Sequence, residues 1–523
     1  MQVSTYEIAF PFSDDKHVLM NGLYGAIDIV PSEDAELLTQ AKNDPSLLER
    51  FSPSKLEMLI DRGHIVNDLE QEAQDLRIIS RLHTLIVGRG EAGIVLIPTY
   101  NCNFRCVYCF EQHRLSRGQE WLEHTMTPSM LDDIFRQVKD FKARGYSVKS
   151  CSLYGGEPLL ARNKDLIRDI CERCRENDMS VSAVTNGYDL DSFIDIIDEF
   201  KFSSLQITVD GLKEIHDQQR PFAGGGNSYD KIMSNIGLAL EHGINVSVRS
   251  NVTDRNISGI KTLQEEFKSR GFTDKSCFRY YFRAVFDSDN AVSDEDVLNE
   301  LIRTGTPLEE AIRLARVYFQ IEEGLSSWLN KKIVPRLNPT FCGAENGAYV
   351  IDPYGKIFSC WELVGKDGEE IGFVEGGRFM YNFNIAKWRT RTSDRMPKCS
   401  KCPYLMLCGG GCARAGLKHL MEGRCDDFQK RFEFVAPIVI QKALNGDYAG
   451  KKESRDEDDV SKDRGESMLS SSEPNSKYAD DPSCLSLSVR EFLSKFNSEE
   501  RNILMTTNSE REAADILEAH SFN

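Results

Sequence analysis

The sequence predicts an α/β fold with a parallel sheet or barrel in the middle of the chain. Two observations carry this. From Gly93 to about Ile333, short apolar runs alternate with amphipathic helical patterns. Such alternation marks parallel strands joined by crossover helices. On either side the pattern changes, to a few strands followed by helices before Gly93 and to dense cysteine and glycine after Asn338. A chain of 523 residues is also long enough for several domains.

The apolar runs of the middle part are Ile94–Pro98, Val148–Tyr154, Val181–Thr185, Leu205–Val209, Ile244–Val248 and Phe278–Phe282. Helical patterns lie between most of them, at Leu131–Ala143, Asp165–Asn177, Asp191–Phe200 and Tyr229–His242. In parallel barrels the chemistry sits at the C-terminal ends of the strands. Ahead of this, Tyr6–Phe12 and His17–Val30 read as short strands around a turn at Asp14 and Asp15, with Asn21 and Gly22 marking a second turn. Helices are expected at Asp34–Lys42, Ser46–Phe51, Lys55–Arg62 and Asp68–Leu85, with Ser32 and Ser54 as N-caps. This is a winged-helix-like composition. The segment Gly450–Ser483 is charged and Ser-rich, which predicts a disordered linker. Helical patterns return in Leu485–Phe496 and Ser498–His520, with Asn497 or Ser498 as a cap. The expected division is 1–90, 91–333, 334–445, a linker at 446–484 and a helical tail at 485–523.

Composition excludes some classes. Lys plus Arg is 64 against 82 Asp plus Glu, a net charge of −18. That argues against a general nucleic-acid binder, which carries a basic face. The N-terminus has no basic segment leading into an apolar run, and no apolar stretch is long enough to span a bilayer. A cytoplasmic protein with neither a membrane nor a nucleic-acid partner is expected. The 15 cysteines are then metal ligands or free thiols rather than a disulfide framework.

Three of them stand together. Ile94-Val-Leu-Ile-Pro-Thr-Tyr-Asn-Cys102-Asn-Phe-Arg-Cys106-Val-Tyr-Cys109 places three thiols on a loop after a strand. Soft thiolates select iron–sulfur clusters, zinc or copper(I). A 4Fe-4S cluster usually takes four cysteines, so three leave one iron open to a reactant. At the end of the second run comes Leu153-Tyr-Gly155-Gly156-Glu157-Pro158. There a glycine pair permits close backbone approach, and a carboxylate can bond a cationic amine.

With Tyr108 at the aromatic position of CxxxCxΦC, the loop resembles that of the radical S-adenosylmethionine superfamily. The resemblance implies a partial (β/α)6 barrel. It implies a 4Fe-4S cluster on Cys102, Cys106 and Cys109 whose open iron chelates S-adenosylmethionine, and reductive cleavage to a 5′-deoxyadenosyl radical. The cofactor supplies the radical chemistry and the protein positions it. Gly155, Gly156 and Glu157 resemble the family's motif for the methionine amino group. Asn186, in Val184-Thr-Asn186-Gly187, and Thr208 and Asp210, in Ile207-Thr208-Val-Asp210-Gly211, resemble segments near the cofactor. Arg220 and Arg249 are candidates for its carboxylate, to which a guanidinium offers a bidentate fork.

The later cysteines read Cys342-x12-Gly355-x4-Cys360, then Cys399-x2-Cys402-x5-Cys408-x3-Cys412-x12-Cys425. This resembles the SPASM extension of the same superfamily. It implies two auxiliary 4Fe-4S clusters, one on Cys399, Cys402, Cys408 and Cys425 and one on Cys342, Cys360 and Cys412, making three clusters in all. Arg336, Leu337 and Asn338 stand where some relatives carry a fourth ligand. The inner cluster thus has an open iron or a remote ligand such as Cys277. Structural zinc is the alternative for this field. Cys171 and Cys174 form a CxxC inside a helical pattern and read as ordinary helix residues.

The first 90 residues resemble a leader-peptide recognition element, in which a peptide adds a strand to a sheet edge. The expected enzyme is a maturase of ribosomally made peptides. It abstracts hydrogen from a precursor peptide held by its leader and forms a thioether or other cross-link. Its electron donor would be a ferredoxin or flavodoxin. An anaerobic sulfatase-maturating enzyme that makes formylglycine is the alternative, and a non-catalytic cluster scaffold a third reading. No general base is singled out.

Overall fold

The computed structural model describes residues 1–83, 92–285, 292–331, 337–416, 425, 427–445, 483–486, 488–507, 513 and 516. At the N-terminus, β1 (Gln2–Val3) pairs antiparallel with β5 (Ile65–Val66). Strands β2 (Glu7–Ser13), β3 (Lys16–Asn21) and β4 (Ile27–Pro31) form an antiparallel meander in that order. The turn expected at Asn21 and Gly22 splits the second apolar run into β3 and β4. Helices α1 (Ser32–Ala41), α2 (Pro53–Arg62) and α3 (Leu69–Leu82) follow.

Two expected caps move. Ser52, not Ser54, caps α2 and accepts from the Lys55 amide at 3.3 Å. Pro53 explains the shift, because its fixed φ and missing N–H suit the first helical position. Ser32 is the first residue of α1, and its hydroxyl bonds His17 Nδ1 at 3.0 Å. Asp68 caps α3, accepting from Glu70. Residues 84 and 85 of the expected helix lie outside the described residues.

The middle of the chain is the parallel unit expected. Strands β6 (Gly93–Leu96), β7 (Ser150–Leu153), β8 (Ser180–Thr185), β9 (Ser204–Thr208), β10 (Val246–Val252) and β11 (Phe278–Ala284) lie side by side in sequence order, all parallel. Helices Pro128–Ala143, Lys164–Glu176 and Tyr229–Glu241 connect them. The strand residues Ile94, Leu96, Leu153, Val181, Leu205, Ile207 and Val248 are buried in one large apolar core. Burial on both faces is what makes parallel strands read as continuous apolar runs. Cys171 and Cys174 are buried in this core on their helix, as ordinary helix residues.

The sheet does not stop at the boundary expected near residue 333. Strand β12 (Ala348–Ile351) pairs parallel with β6, and β13 (Lys356–Phe358), β14 (Gly372–Glu375) and β15 (Arg378–Tyr381) extend the sheet antiparallel to ten strands. The cysteine-rich region is therefore continuous with the parallel unit through backbone hydrogen bonds. Helix Phe428–Leu444 packs on helix Arg316–Lys331, where Lys442 bonds Glu322 at 3.1 Å.

The expected linker at 446–484 lies outside the described residues except for Ser483 and Cys484. The expected helix Leu485–Phe496 is only partly helical. Ser483–Leu485 runs extended beside β4, and the helix is Val489–Leu493. Asn497 caps helix Ser498–Thr506 in a capping box with Glu500. Among the described residues no helix is long and apolar enough to cross a membrane.

Candidate functional site

Cys102, Cys106 and Cys109 lie on the loop leaving the C-terminal end of β6, all partly exposed. The turn leaving β7 is pressed against that loop. The Glu157 amide donates to Asn101 O at 2.8 Å, and the Tyr154 amide to Leu96 O at 2.9 Å. A Cβ on Gly156 would stand 2.3 Å from Asn101 O, and one on Gly155, whose φ is +93°, would stand 2.2 Å from Ile97. Both glycines are required because two backbones meet there.

Glu157 is fully buried and its carboxylate is engaged. It accepts from the Thr185 hydroxyl at 2.6 Å, the Asn186 amide at 2.6 Å and the Leu159 amide at 2.9 Å. Burial pushes its pKa up to about 7 against those hydrogen bonds. Asn186 in turn donates from Nδ2 to Asn103 Oδ1 at 2.6 Å, tying the end of β8 to the cysteine loop.

On the far side, the Tyr108 hydroxyl donates to Asp210, accepts from Arg220 at 2.7 Å and accepts from Asn251 Nδ2 at 3.1 Å. Arg220 lies 3.7 Å from Asp210, and the Asn251 amide donates to Asp210 Oδ1 at 2.8 Å. Burial raises the Asp210 pKa, opposed first by Arg220 and also by Arg249. Thr208 and Arg249 are register partners at the end of β9 and on β10. Arg249 bonds Asn251 Oδ1 through Nε at 2.9 Å.

The bonds of Asn186 to Asn103 and of Tyr108 to Asp210 and Arg220 bring these groups to one mouth. Burial raises the Cys102 thiol first, then Glu157, Cys106 and Cys109 raise it further. Burial likewise raises Cys106, which Arg220 lowers and Asp210 and Glu157 raise. Three soft thiols that act on one another at the open end of a parallel sheet suit an iron–sulfur group with a free coordination position. Arg220 Nε, buried and without a hydrogen-bond partner in the structure, suits a carboxylate. Among the described residues, no group of three or more His, Cys, Asp or Glu is placed to hold a single metal ion.

Among the later cysteines, Cys360 and Cys399 each feel the charge of cysteine neighbours. Burial pushes Cys360 up to about 12, and Cys342 and Cys412 add to it. Burial raises Cys399, and Cys402 and Cys425 add to it. Cys408 lies at the end of helix Leu405–Cys408, just after Cys402. Cys277 stands at the N-terminal start of β11, the opposite end of the strand from the mouth.

Residues that sequence reasoning missed hold this field. Buried Arg391 bonds Glu345, Gly410 O at 3.1 Å and Gly411 O at 3.2 Å. Glu345 accepts from the amides of Phe341 at 2.7 Å and Cys342 at 3.2 Å. The pair thus joins the Cys342 loop to the glycines before Cys412. Tyr154 stacks on Trp361, next to Cys360, with ring centroids 5.6 Å apart. Its hydroxyl is raised by burial, then by Glu111, and Arg249, Glu362 and Cys109 also act on it. Tyr154 therefore stands between the first cysteine loop and the second field. The N-terminal meander reaches that field too. Tyr6 donates to Ser400 O at 2.8 Å, and a Cβ on Gly22 would stand 1.7 Å from Pro403 O.

Comparison with known proteins agrees with this geometry. Residues 96–265 match the model of the radical SAM superfamily. The chain is 25% identical over 362 residues to a cysteine-type anaerobic sulfatase-maturating enzyme of Clostridium novyi (strain NT), covering 64% of this chain and 92% of that protein. It is 23% identical over 334 residues to the antilisterial bacteriocin subtilosin biosynthesis protein AlbA of Bacillus subtilis (strain 168), covering 61% of this chain and 66% of that protein. Its fold is like that of anSMEcpe with bound AdoMet, with a TM-score of 0.53 at 19% identity over 68% of this chain and 96% of the other. Cys102 to Arg249 all fall inside the matched stretch, so the mouth is that of a radical SAM domain, and the match together with the relatives supports a radical S-adenosylmethionine enzyme.

Proposed function

We propose that the chain matures a ribosomally made peptide, taking hydrogen from a precursor held by its leader and forming a thioether or other cross-link. The observation that carries this reading is the direct packing of the N-terminal meander on the second cysteine field through Tyr6 and Gly22. A peptide bound by residues 1–90 would leave that domain beside the clusters. We read those residues as a winged-helix-like leader-recognition element, in line with their three-stranded meander and three helices.

Bound S-adenosylmethionine, cleaved reductively, supplies a 5′-deoxyadenosyl radical. The chain's own residues do the rest. Cys102, Cys106 and Cys109 hold a 4Fe-4S cluster. Arg220 and Arg249 offer cationic N–H groups to a carboxylate, and the Gly155–Gly156 backbone lets the ligand approach closely. Tyr108, fixed by Asp210 and Arg220, closes the mouth between Cys106 and Cys109. Cys342, Cys360 and Cys412 hold one auxiliary cluster, and Cys399, Cys402, Cys408 and Cys425 the other. A small ferredoxin or flavodoxin in the cytoplasm supplies the electron.

A second reading, formylglycine formation, is favoured by the likeness to the Clostridium novyi enzyme. One experiment separates the two. The protein is reconstituted anaerobically and given dithionite and S-adenosylmethionine. It is then offered either a Cys-containing sulfatase-motif peptide or the small Cys-containing peptide encoded nearest its gene. Loss of two hydrogens from the second peptide, with 5′-deoxyadenosine, supports the cross-linking maturase. Formylglycine in the first peptide and no cross-link in the second overturns it.

A further inference from the structure

The meander β2–β3–β4 has two edges, and the one at β4 is taken by the end of the chain. The Ile29 amide donates to Ser483 O at 2.9 Å, and the Leu485 amide donates to Ile27 O at 2.8 Å. Asp28 and Cys484 form the antiparallel bridge between these bonds. Ser486 then donates to Gly25 O at 2.6 Å, and the Val489 amide to Tyr24 O at 2.9 Å. The segment covers the β4 edge through one antiparallel bridge and its flanking bonds, and it comes from the far end of the sequence.

Beyond this segment the attachment changes character. Val489, Phe492, Leu493, Phe496 and Leu504 are buried in one cluster with Leu76 and Ile79 of α3. Arg501 pairs with Asp75, and Arg81 donates to the carbonyls of Thr506 at 3.0 Å and Thr507 at 2.9 Å. The helices are thus anchored by side chains. The segment at the edge pairs through main-chain groups, which any extended peptide also carries, and it buries the Cys484, Leu485 and Ser486 side chains as well.

We propose that residues 483–486 are an intramolecular competitor for the β4 edge, displaced when an extended peptide supplied in trans pairs there. The helices 489–507 stay docked on α3 and keep the segment at high local concentration, so the chain holds its own docking edge closed against weak peptides. This rests on reading residues 1–90 as a peptide-recognition element. It adds that the edge is filled in the resting enzyme and that exchange is the step that admits a peptide.

The test uses the full-length, anaerobically prepared chain. The probe is a fluorescein-labelled peptide copying residues 478–489 with Ser in place of Cys484, read by anisotropy. Leu485→Pro removes the amide that donates to Ile27. It is expected to bind the probe about tenfold more tightly than the unsubstituted chain, because the tethered segment no longer competes. Should the variant disturb the helices, hydrogen exchange on the unsubstituted chain decides instead. Saturating probe must then expose the Leu485 amide while amides of Ser498–Thr506 stay protected. Equal affinity for both chains, no binding to either, or a Leu485 amide that stays protected overturns the proposal. Formation of 5′-deoxyadenosine, and of a cross-linked peptide, is scored separately in both chains. Radical cleavage with no modification of any peptide counts against the maturase reading alone.

Discussion

The Tyr108 hydroxyl and the Asp210 carboxylate are hydrogen-bonded across the mouth of the sheet, joining the cysteine loop to the turn after β9. Asp210 is also the carboxylate beside buried Arg220. Asp210→Ala therefore strands a buried guanidinium, which costs about 3–5 kcal/mol. Tyr108→Phe removes one hydroxyl and costs about 1–3 kcal/mol. Thermal denaturation and 5′-deoxyadenosine formation should both rank wild type above Tyr108→Phe and Tyr108→Phe above Asp210→Ala. The reverse order would show that the carboxylate does not organise the mouth.

Gly156→Ala would place a methyl against Asn101 O, so the two loops must part. A displacement near 1 Å at a reacting centre costs roughly a hundredfold in rate. We expect 5′-deoxyadenosine formation to drop by about that factor while circular dichroism stays unchanged. Activity within a factor of two of wild type would mean that the loops yield without disturbing the site.

Cysteine substitutions should separate the first loop from the later field. Cys102→Ala, Cys106→Ala or Cys109→Ala is expected to abolish 5′-deoxyadenosine formation while the later sites keep iron. Cys399→Ala or Cys402→Ala should lose iron and soften the surrounding region, because metal binding there is coupled to folding. Full iron content in the latter variants would remove those cysteines from the ligand set.

Arg391→Met keeps length but removes the charge that binds Glu345 and the Gly410 and Gly411 carbonyls. Glu345 is then left as an uncompensated buried carboxylate, at a cost of about 3–5 kcal/mol. We expect lower iron content after reconstitution and a lower Tm. Unchanged iron would show that Cys342 and Cys412 are positioned without this pair.

A pH dependence follows from His64. It is buried between Glu7 at 2.8 Å and Asp28 at 2.7 Å, and Asp28 also receives Arg62 at 2.9 Å. Burial pulls its pKa down, but Glu7 and Asp28 overcome this and hold it up at about 9. A pKa raised above the ordinary 6.5 contributes stability that is complete below 6.5 and lost as pH rises through about 9. Hydrogen exchange in β3 and β4, corrected for its intrinsic pH dependence, should show weakening protection from pH 7 to 10. His64→Gln should flatten that slope. A flat profile in the unsubstituted chain would show that His64 is not charged there.

The parallel unit was legible because burial on both faces writes each strand as an apolar run between helical periods. The first cysteine loop was legible because its three thiols and Tyr108 lie within eight consecutive residues, 102–109. The supports were not. Arg391 and Glu345 are ordinary charged residues 46 positions apart, and only folding shows that they meet. Glu157 illustrates a different limit. Its place beside two glycines points to a ligand, whereas its oxygens accept from Leu159, Thr185 and Asn186. The tail was misread in part because Ser483–Leu485 carries no strand period of its own. Its extended form comes from the β4 edge it pairs with.

The pairing of Ser483–Leu485 with β4 also sets an order of events during synthesis. Ser483 lies 400 residues beyond His83, the last residue described in the N-terminal region. At ribosomal speeds of about 5–20 residues per second, the N-terminal region leaves the ribosome roughly 20–80 s before the segment that covers β4 exists. A newborn chain therefore presents a bare β4 edge that the finished chain covers. Any extended peptide or chaperone present in that interval meets the edge before its tethered competitor has been translated.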